Sequence, residues 1–175
     1  MKLTAKEVIN HFKMEILPIE GTYYSKTYES KVLTNSAKPA GTAILGLYSN
    51  NPLSRSLFHK LDYDEIWHFY AGDPIKLILL FPDSKVEEVI LGSDFKSGEK
   101  IQYVVPAGVW QAGEIVSGGD WALFGCTMAP GFHGEIFEGG HFKELINKYP
   151  SARNFLERLC VSENEEIRLP KDYKD

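Results

Sequence analysis

The sequence predicts a mostly β fold, an antiparallel sandwich or barrel with one helix before it and helices after it. Short segments rich in aromatic and β-branched residues follow one another at spacings of about ten residues from Thr22 to Met128, with turn-forming residues between them. No helical periodicity interrupts this stretch, which disfavours parallel strands joined by helices. The 175 residues are enough for a substantial core, so we expect a single domain over residues 1–175.

The N-terminal segment predicts a helix over about residues 4–14 that packs on the domain. Thr4 as N-cap and Glu7 three residues later form a capping-box pattern. Apolar residues then recur at helical spacing as far as Phe12, and Pro18 marks the end of the helical pattern.

The barrel is expected over about residues 22–128, and a helical tail follows over about residues 140–160. The residues from Leu169 onwards are expected to fray. Polar breaks that predict tight connections between neighbouring strands lie at residues 62–64, 82–84 and 117–120. The predicted strands are residues 23–29, 42–48, 56–61, 65–70, 75–81, 85–91, 101–105, 109–116 and 121–128.

Composition excludes several classes of protein. The net charge of −5 and the pI near 5.6 argue against a nucleic-acid surface, which would be basic. No apolar run approaches the ~20 residues that cross a bilayer, and the start of the chain has no signal-peptide pattern. Cys126 and Cys160 are too few for a disulfide framework. We therefore expect a cytoplasmic protein with neither nucleic-acid nor membrane partners.

Residues 59–72 concentrate ionisable side chains in a segment that otherwise predicts buried sheet. Alternation along a strand places His59 on one face with Leu61, and Glu65 on one face with Trp67. If these faces line the interior, His59 and Glu65 meet in a half-apolar hollow, either as a hydrogen-bonded structural pair or as part of a pocket. The same alternation turns His68 away from the hollow, towards packing or a dimer surface.

At these residues the chain resembles the cupin superfamily. His59, Glu65 and Gly72 follow the spacing of the first cupin motif, with Leu61 in place of the second histidine. The resemblance implies a double-stranded β-helix, the jelly-roll barrel of cupins.

The second cupin motif is matched by Pro106, Gly108 and Gln111, with glutamine in place of histidine. Longer phrases resemble cupin family five, single-domain cupins of largely undefined function. At residues 25–26 the chain has Ser-Lys where that family leads us to expect Arg-Glu. The supporting phrases are residues 20–24, Ser56 with His59, and residues 64–74, 105–111 and 125–132.

These departures bear on metal binding. Metallo-cupins use three histidines and a glutamate, and imidazole suits transition metals. Here the ligands left are His59, Glu65 and the weak donor Gln111. The resemblance therefore implies a metal-free pocket that requires no cofactor, with a divalent metal at these three residues as the disfavoured alternative.

Sugar-nucleotide epimerases share this barrel and use a histidine–tyrosine pair, which suggests roles for the candidate residues. We expect His59 to act as base, Glu65 to orient it and Tyr24 to donate a proton. The ligand-binding candidates are Ser56, Trp67 and Gln111.

Two classes of function stay open at this point. One is an isomerase, epimerase or lyase that transfers protons on a small carbohydrate-type molecule, and the other is a non-catalytic small-molecule binder or sensor. Arg55 is the only arginine near the pocket segments, which disfavours a strongly anionic nucleotide-sugar. Cupins commonly dimerise and edge strands need covering, so we also expect a homodimer, formed through residues 23–29 or the N-terminal helix.

Overall fold

The computed structural model describes residues 3–170 and residue 173. Three α-helices, twelve strands and two short 3-10 segments make up the regular structure of these residues. The helices are α1 (Ala5–Phe12), α2 (Phe142–Leu145) and α3 (Arg153–Leu159), and the 3-10 segments are Gly134–Ile136 and Pro150–Ala152. The strands are β1 (Glu15–Ile16), β2 (Tyr23–Glu29), β3 (Thr42–Asn50), β4 (Leu53–Ser54), β5 (Ser56–Leu61), β6 (Glu65–Gly72), β7 (Ile75–Leu80), β8 (Val86–Leu91), β9 (Gln102–Val105), β10 (Trp110–Ile115), β11 (Trp121–Met128) and β12 (Phe137–Gly139).

The strands form two antiparallel sheets that share one core. The first sheet has the order β1-β2-β3-β11-β6-β9, with β4 paired to β3, and the second has the order β12-β5-β10-β7-β8. Trp67 and Phe124 of the first sheet belong to the same buried cluster as Leu77 and Leu79 of the second. The predicted mostly β, cupin-like barrel is therefore confirmed.

Helices cover an outer face of each sheet. The predicted capping box of α1 is present, because the backbone N–H of Glu7 donates to Thr4 Oγ1 at 3.3 Å and the backbone N–H of Thr4 donates to Glu7 Oε2 at 2.8 Å. Val8 of α1 packs with Leu47 of the first sheet. Leu156 of α3 packs with other apolar residues on the second sheet. The apolar stripe of each helix thus completes the core of the domain.

The predicted connection at residues 82–84 is a hairpin, since β7 and β8 pair directly. The prediction of hairpins at residues 62–64 and 117–120 is wrong, because each of these connections takes the chain from one sheet to the other. Apolar and polar residues alternate along any strand that is buried on one face. The pattern is the same whether the next strand in the chain pairs with it or belongs to the opposite sheet. The connection at residues 62–64 is stabilised by a hydrogen bond, which Asp64 Oδ1 accepts from the backbone N–H of Ala107 at 2.8 Å.

The C-terminal segment is more ordered than the sequence predicted. Leu169 is only 9% exposed and packs with Leu61, Met128 and Phe137. The expectation that the segment frays is therefore wrong for Leu169, and residues 171–172 and 174–175 lie outside the described part of the chain. Within residues 3–170, no helix has the length and apolar character needed to cross a membrane.

Candidate functional site

A cavity of about 50 Å³ lies between the sheets at the end where Leu61 and Met128 meet. This volume is well below the ~300–1,000 Å³ of typical ligand sites. Apolar side chains form most of its wall, and Pro18 and Lys26 lie on its rim. The ionisable side chains of the wall are Glu20, Tyr24, Lys26, His59, Glu65 and Cys126.

His59 is held in one orientation, with a proton on Nδ1. Strand β5 runs between β10 and β12, and the imidazole is 3% exposed and stacks on the ring of Phe137 at 5.4 Å between centroids. Its Nδ1 lies 2.9 Å from the carbonyl oxygen of Leu57. A carbonyl oxygen only accepts, so Nδ1 carries a proton and Nε2 is the nitrogen left for other contacts. Nε2 lies 3.8 Å from Glu20 Oε2.

Glu20 is the functional candidate that the sequence reasoning missed. Its Oε1 accepts hydrogen bonds from the hydroxyls of Thr22 and Ser56, each at 2.5 Å. Its backbone carbonyl accepts from the N–H of Leu57 at 2.9 Å, which ties the segment before β2 to β5. Glu20 opens one of the phrases that resemble the cupin family, but it lies outside any regular strand, so face alternation gave no signal for it.

Glu65, at the start of β6, is held from behind by a chain of hydrogen bonds. Its Oε2 accepts from Gln111 Nε2 at 2.8 Å, and Gln111 Oε1 accepts from Trp67 Nε1 at 3.0 Å. Burial raises the pKa of the Glu65 carboxyl, and the nearby His59 opposes that rise. Burial likewise raises the pKa of the Cys126 thiol well above its usual value, so the sulfur keeps its proton.

The structure brings Tyr24, His59 and Glu65 into the wall of one cavity, as the alternation of the strands led us to expect for the last two. The orienting group of His59 is nevertheless the carbonyl of Leu57, and the carboxylate at its Nε2 is Glu20 rather than Glu65. Glu65 instead takes its hydrogen bonds from the groups behind it.

Ser56, Trp67 and Gln111, expected to contact a ligand, lie behind the cavity wall, with exposed fractions of 0%, 2% and 1%. Alternation along a strand predicts which face of the sheet a side chain lies on. It does not predict whether the side chain reaches the cavity surface, which depends on the aromatic side chains packed around it. These residues position the two carboxylates instead. His68 does lie off the cavity, with Nε2 2.9 Å from Thr127 Oγ1.

The residues do not fit the metal site considered at His59, Glu65 and Gln111. An indole N–H only donates, so the amide oxygen of Gln111 must face Trp67 and its NH₂ group faces Glu65. That orientation removes the oxygen a cation would need, and Leu61 contributes no donor atom. Elsewhere in the described residues, no group of three or more His, Cys, Asp or Glu side chains is arranged to hold a metal ion.

The chain is similar in sequence or structure to proteins from three organisms. The chain is 27% identical over 145 residues to the uncharacterized protein YML079W of Saccharomyces cerevisiae. The matched region covers 73% of this chain and 70% of that protein. Protein SO0799 from Shewanella oneidensis superposes with a TM-score of 0.84 at 27% identity, over 93% of this chain and all of that one. A hypothetical protein from Leishmania major gives a TM-score of 0.82 at 26% identity, over 91% of this chain and all of that one.

The sequence matches a family model over residues 6–140, the part of the chain that includes α1 from its second residue, the twelve strands and the cavity carboxylates. The model is described as Cupin superfamily (DUF985). The Leu61 and Gln111 substitutions thus lie inside the matched region. Because the match covers well over half of the chain, the protein belongs to the Cupin_5 family of the cupin superfamily.

Proposed function

We propose that the cavity binds a small polar ligand of carbohydrate type and that His59 moves a proton to or from it. The observation that carries this proposal is the pairing of an oriented imidazole with a carboxylate, Nε2 of His59 lying 3.8 Å from Glu20 Oε2. The apolar wall around this pair gives the usual composition of a ligand pocket, in which a few polar groups set orientation.

The proposed chemistry is an isomerase-, epimerase- or lyase-like proton transfer. Nε2 of His59 accepts a proton from a carbon next to a carbonyl, and the Glu20 carboxylate stabilises the imidazolium that forms. A proton returns to the ligand from Tyr24 or from Glu65, whose raised pKa favours the protonated carboxyl. After one turnover His59 has gained a proton and the donor has lost one, so a proton returns from His59 to the donor through solvent before the next cycle.

A non-catalytic binder or sensor is the second candidate, and the size of the cavity favours it. A cavity of about 50 Å³ is far below the ~300–1,000 Å³ of typical ligand sites, so a rigid cavity would admit only a very small ligand. Such a protein would use His59 and Glu20 to recognise a ligand, without turnover.

A thermal-shift panel of sugars and small hydroxy acids tests the proposal. A ligand present at 100 times its Kd adds about 2.7 kcal/mol of stability, so a binding compound raises the Tm of the wild type. We expect His59→Ala to abolish this rise. The matched control is His68→Ala, which removes an imidazole that lies off the cavity and should leave the rise intact. An undiminished rise in His59→Ala would refute the assignment.

Exchange of ligand protons in D₂O, followed by NMR, then separates the two candidates. Incorporation of deuterium next to a carbonyl of the bound ligand, lost in His59→Gln, indicates proton transfer. Binding without any exchange indicates a sensor.

A further inference from the structure

Leu169 separates two hollow spaces. Its side chain forms part of the wall of the 50 Å³ cavity that contains His59, and also part of the wall of a neighbouring pocket of about 270 Å³. This outer pocket is bordered by Lys38, His133 and Arg168. Joined to it, the cavity would reach the lower end of the ~300–1,000 Å³ range of typical ligand sites.

The residues beside Leu169 suit a movable partition. Residues 167–170 have no regular secondary structure, so at this point the cavity wall is formed by a loop rather than by a strand or helix. Arg168 anchors one side of it, donating to the carbonyl oxygen of Phe137 at 3.0 Å and pairing with Glu138. Leu169 itself is held by apolar contacts alone, which are non-directional and permit a change of rotamer.

The outer pocket contains a histidine that needs a polar partner. Both ring nitrogens of His133 are buried and make no hydrogen bond in the described part of the protein, and Glu135 Oε2 lies 3.5 Å from Nδ1. Burial and the nearby Lys38 ammonium lower the pKa of His133, which leaves a neutral ring with one donor and one acceptor nitrogen. A hydroxyl group both donates and accepts, so a hydroxylated molecule passing through the pocket would satisfy the ring.

We propose that Leu169 is a gate between the two spaces and that ligands reach His59 through the outer pocket, past His133. This route explains how a cavity of 50 Å³ could serve a carbohydrate-type ligand, because opening the gate adds the outer space. It deepens the proposed function by giving it an entry path, but the gate can be tested without any ligand.

Cys126 is the reporter, since it lines the inner cavity and is one of only two cysteines in the chain. In a Cys160→Ser background, methylmercury forms a Hg–S bond with Cys126, the S–H bond breaks and the proton leaves to solvent. The rate, followed by mass spectrometry, measures access to the cavity. We expect Leu169→Ala to raise it at least tenfold.

The control for unfolding is Leu145→Ala, at a similarly buried leucine of α2. The same substitution there should leave the rate within twofold of the parent. If Leu145→Ala accelerates the reaction as much as Leu169→Ala does, the label enters by global opening and the gate is overturned. An unchanged rate in Leu169→Ala overturns it as well.

Two further variants distinguish the routes into the cavity. A side chain at Gly134 would start 3.5 Å from Leu169 Cβ, an ordinary contact, so Gly134→Leu fills the outer pocket without forcing the backbone. We expect it to slow the labelling of Cys126 at least fivefold. Lys26→Trp, on the rim beside Pro18, should leave the rate unchanged. The reverse pattern would place the entrance at that rim and overturn the route.

These measurements are independent of the thermal-shift panel. If no sugar binds but Leu169→Ala and Gly134→Leu act as expected, the proposed function fails and the gate stands. If a ligand binds in a manner that depends on His59 but the labelling rates do not respond, the gate fails and the proposed function stands.

Discussion

The space between the two sheets is filled at one end and hollow at the other. At the filled end Phe124 packs against Tyr48 and Trp67, with ring centroids 4.6 and 4.8 Å apart. At the hollow end His59 and Glu65 border the cavity. Strand β6 supplies both ends, with Trp67 and Glu65 only two residues apart, so the same backbone geometry gives core or cavity according to side-chain size and polarity.

The two ends are joined by hydrogen bonds that hold the cavity carboxylates. Trp67 reaches Glu65 through Gln111, and Tyr48 reaches Glu20 through Ser56. Rings of the filled end thus act as fixed supports for the ionisable groups of the hollow end. Such support from behind keeps a site preorganised, which is what a proton-transfer pair needs.

The largest expected effect on stability comes from replacing one buried phenylalanine by alanine at each end. Phe124→Ala should lower the free energy of unfolding by about 3–5 kcal/mol, because it opens a void among packed rings. Phe137→Ala should cost roughly half as much, since Phe137 already borders a cavity whose polar groups let water enter. Denaturant unfolding of both variants measures the difference. Equal costs would show that the hollow end is as tightly packed as the other.

The sequence predicted the faces of the strands better than their partners. Alternation with a period of two was enough to turn His59 and Glu65 inwards, and capping chemistry was enough to place α1. It could not tell that residues 62–64 cross between sheets, because pairing depends on contacts remote in sequence.

The sequence also failed to predict which side chains reach the cavity and which residues of irregular segments line it. Gln111 has the parity of a cavity residue, yet its amide is used between Trp67 and Glu65. Glu20 and Leu169 lie in segments without periodic pattern, and only the fold brings them to the cavity. The site residues that the sequence could not supply are those that reach the barrel from outside its regular strands.

A smaller effect is expected from the ionisation of Glu65. Its pKa is raised in the folded protein, mainly by burial, above an unfolded value near 4.5. The stabilisation from binding that proton is therefore complete below about pH 4.5 and is lost as the pH rises through the higher folded value. We expect the wild type to lose stability relative to Glu65→Gln over this window, by about 1.4 kcal/mol for each pKa unit of elevation.

Unfolding curves from pH 4 to pH 8 measure this, with Glu87→Gln as the control of opposite sign. A hydrogen bond from Lys85 lowers the pKa of Glu87, so its contribution is present above the unfolded pKa and is lost as the pH falls. A constant difference between the wild type and Glu65→Gln across the range would mean that Glu65 is solvated like a surface carboxylate, and the contrast between the two ends would weaken.

The smallest effect is expected at the boundary between the ends, where Tyr48 donates to Ser56. Tyr48→Phe removes one hydroxyl and leaves Ser56 donating to Glu20, so it should cost about 1 kcal/mol with an unchanged denaturant m-value. Tyr149→Phe is the matched control, because the Tyr149 hydroxyl donates to the carbonyl oxygen of Phe81 at 3.0 Å, remote from the cavity. If the ends are independent, the two costs agree within about 0.5 kcal/mol. A clearly larger cost for Tyr48→Phe would show instead that its hydroxyl, Ser56 and Glu20 strengthen one another, so that core and cavity form one cooperative network.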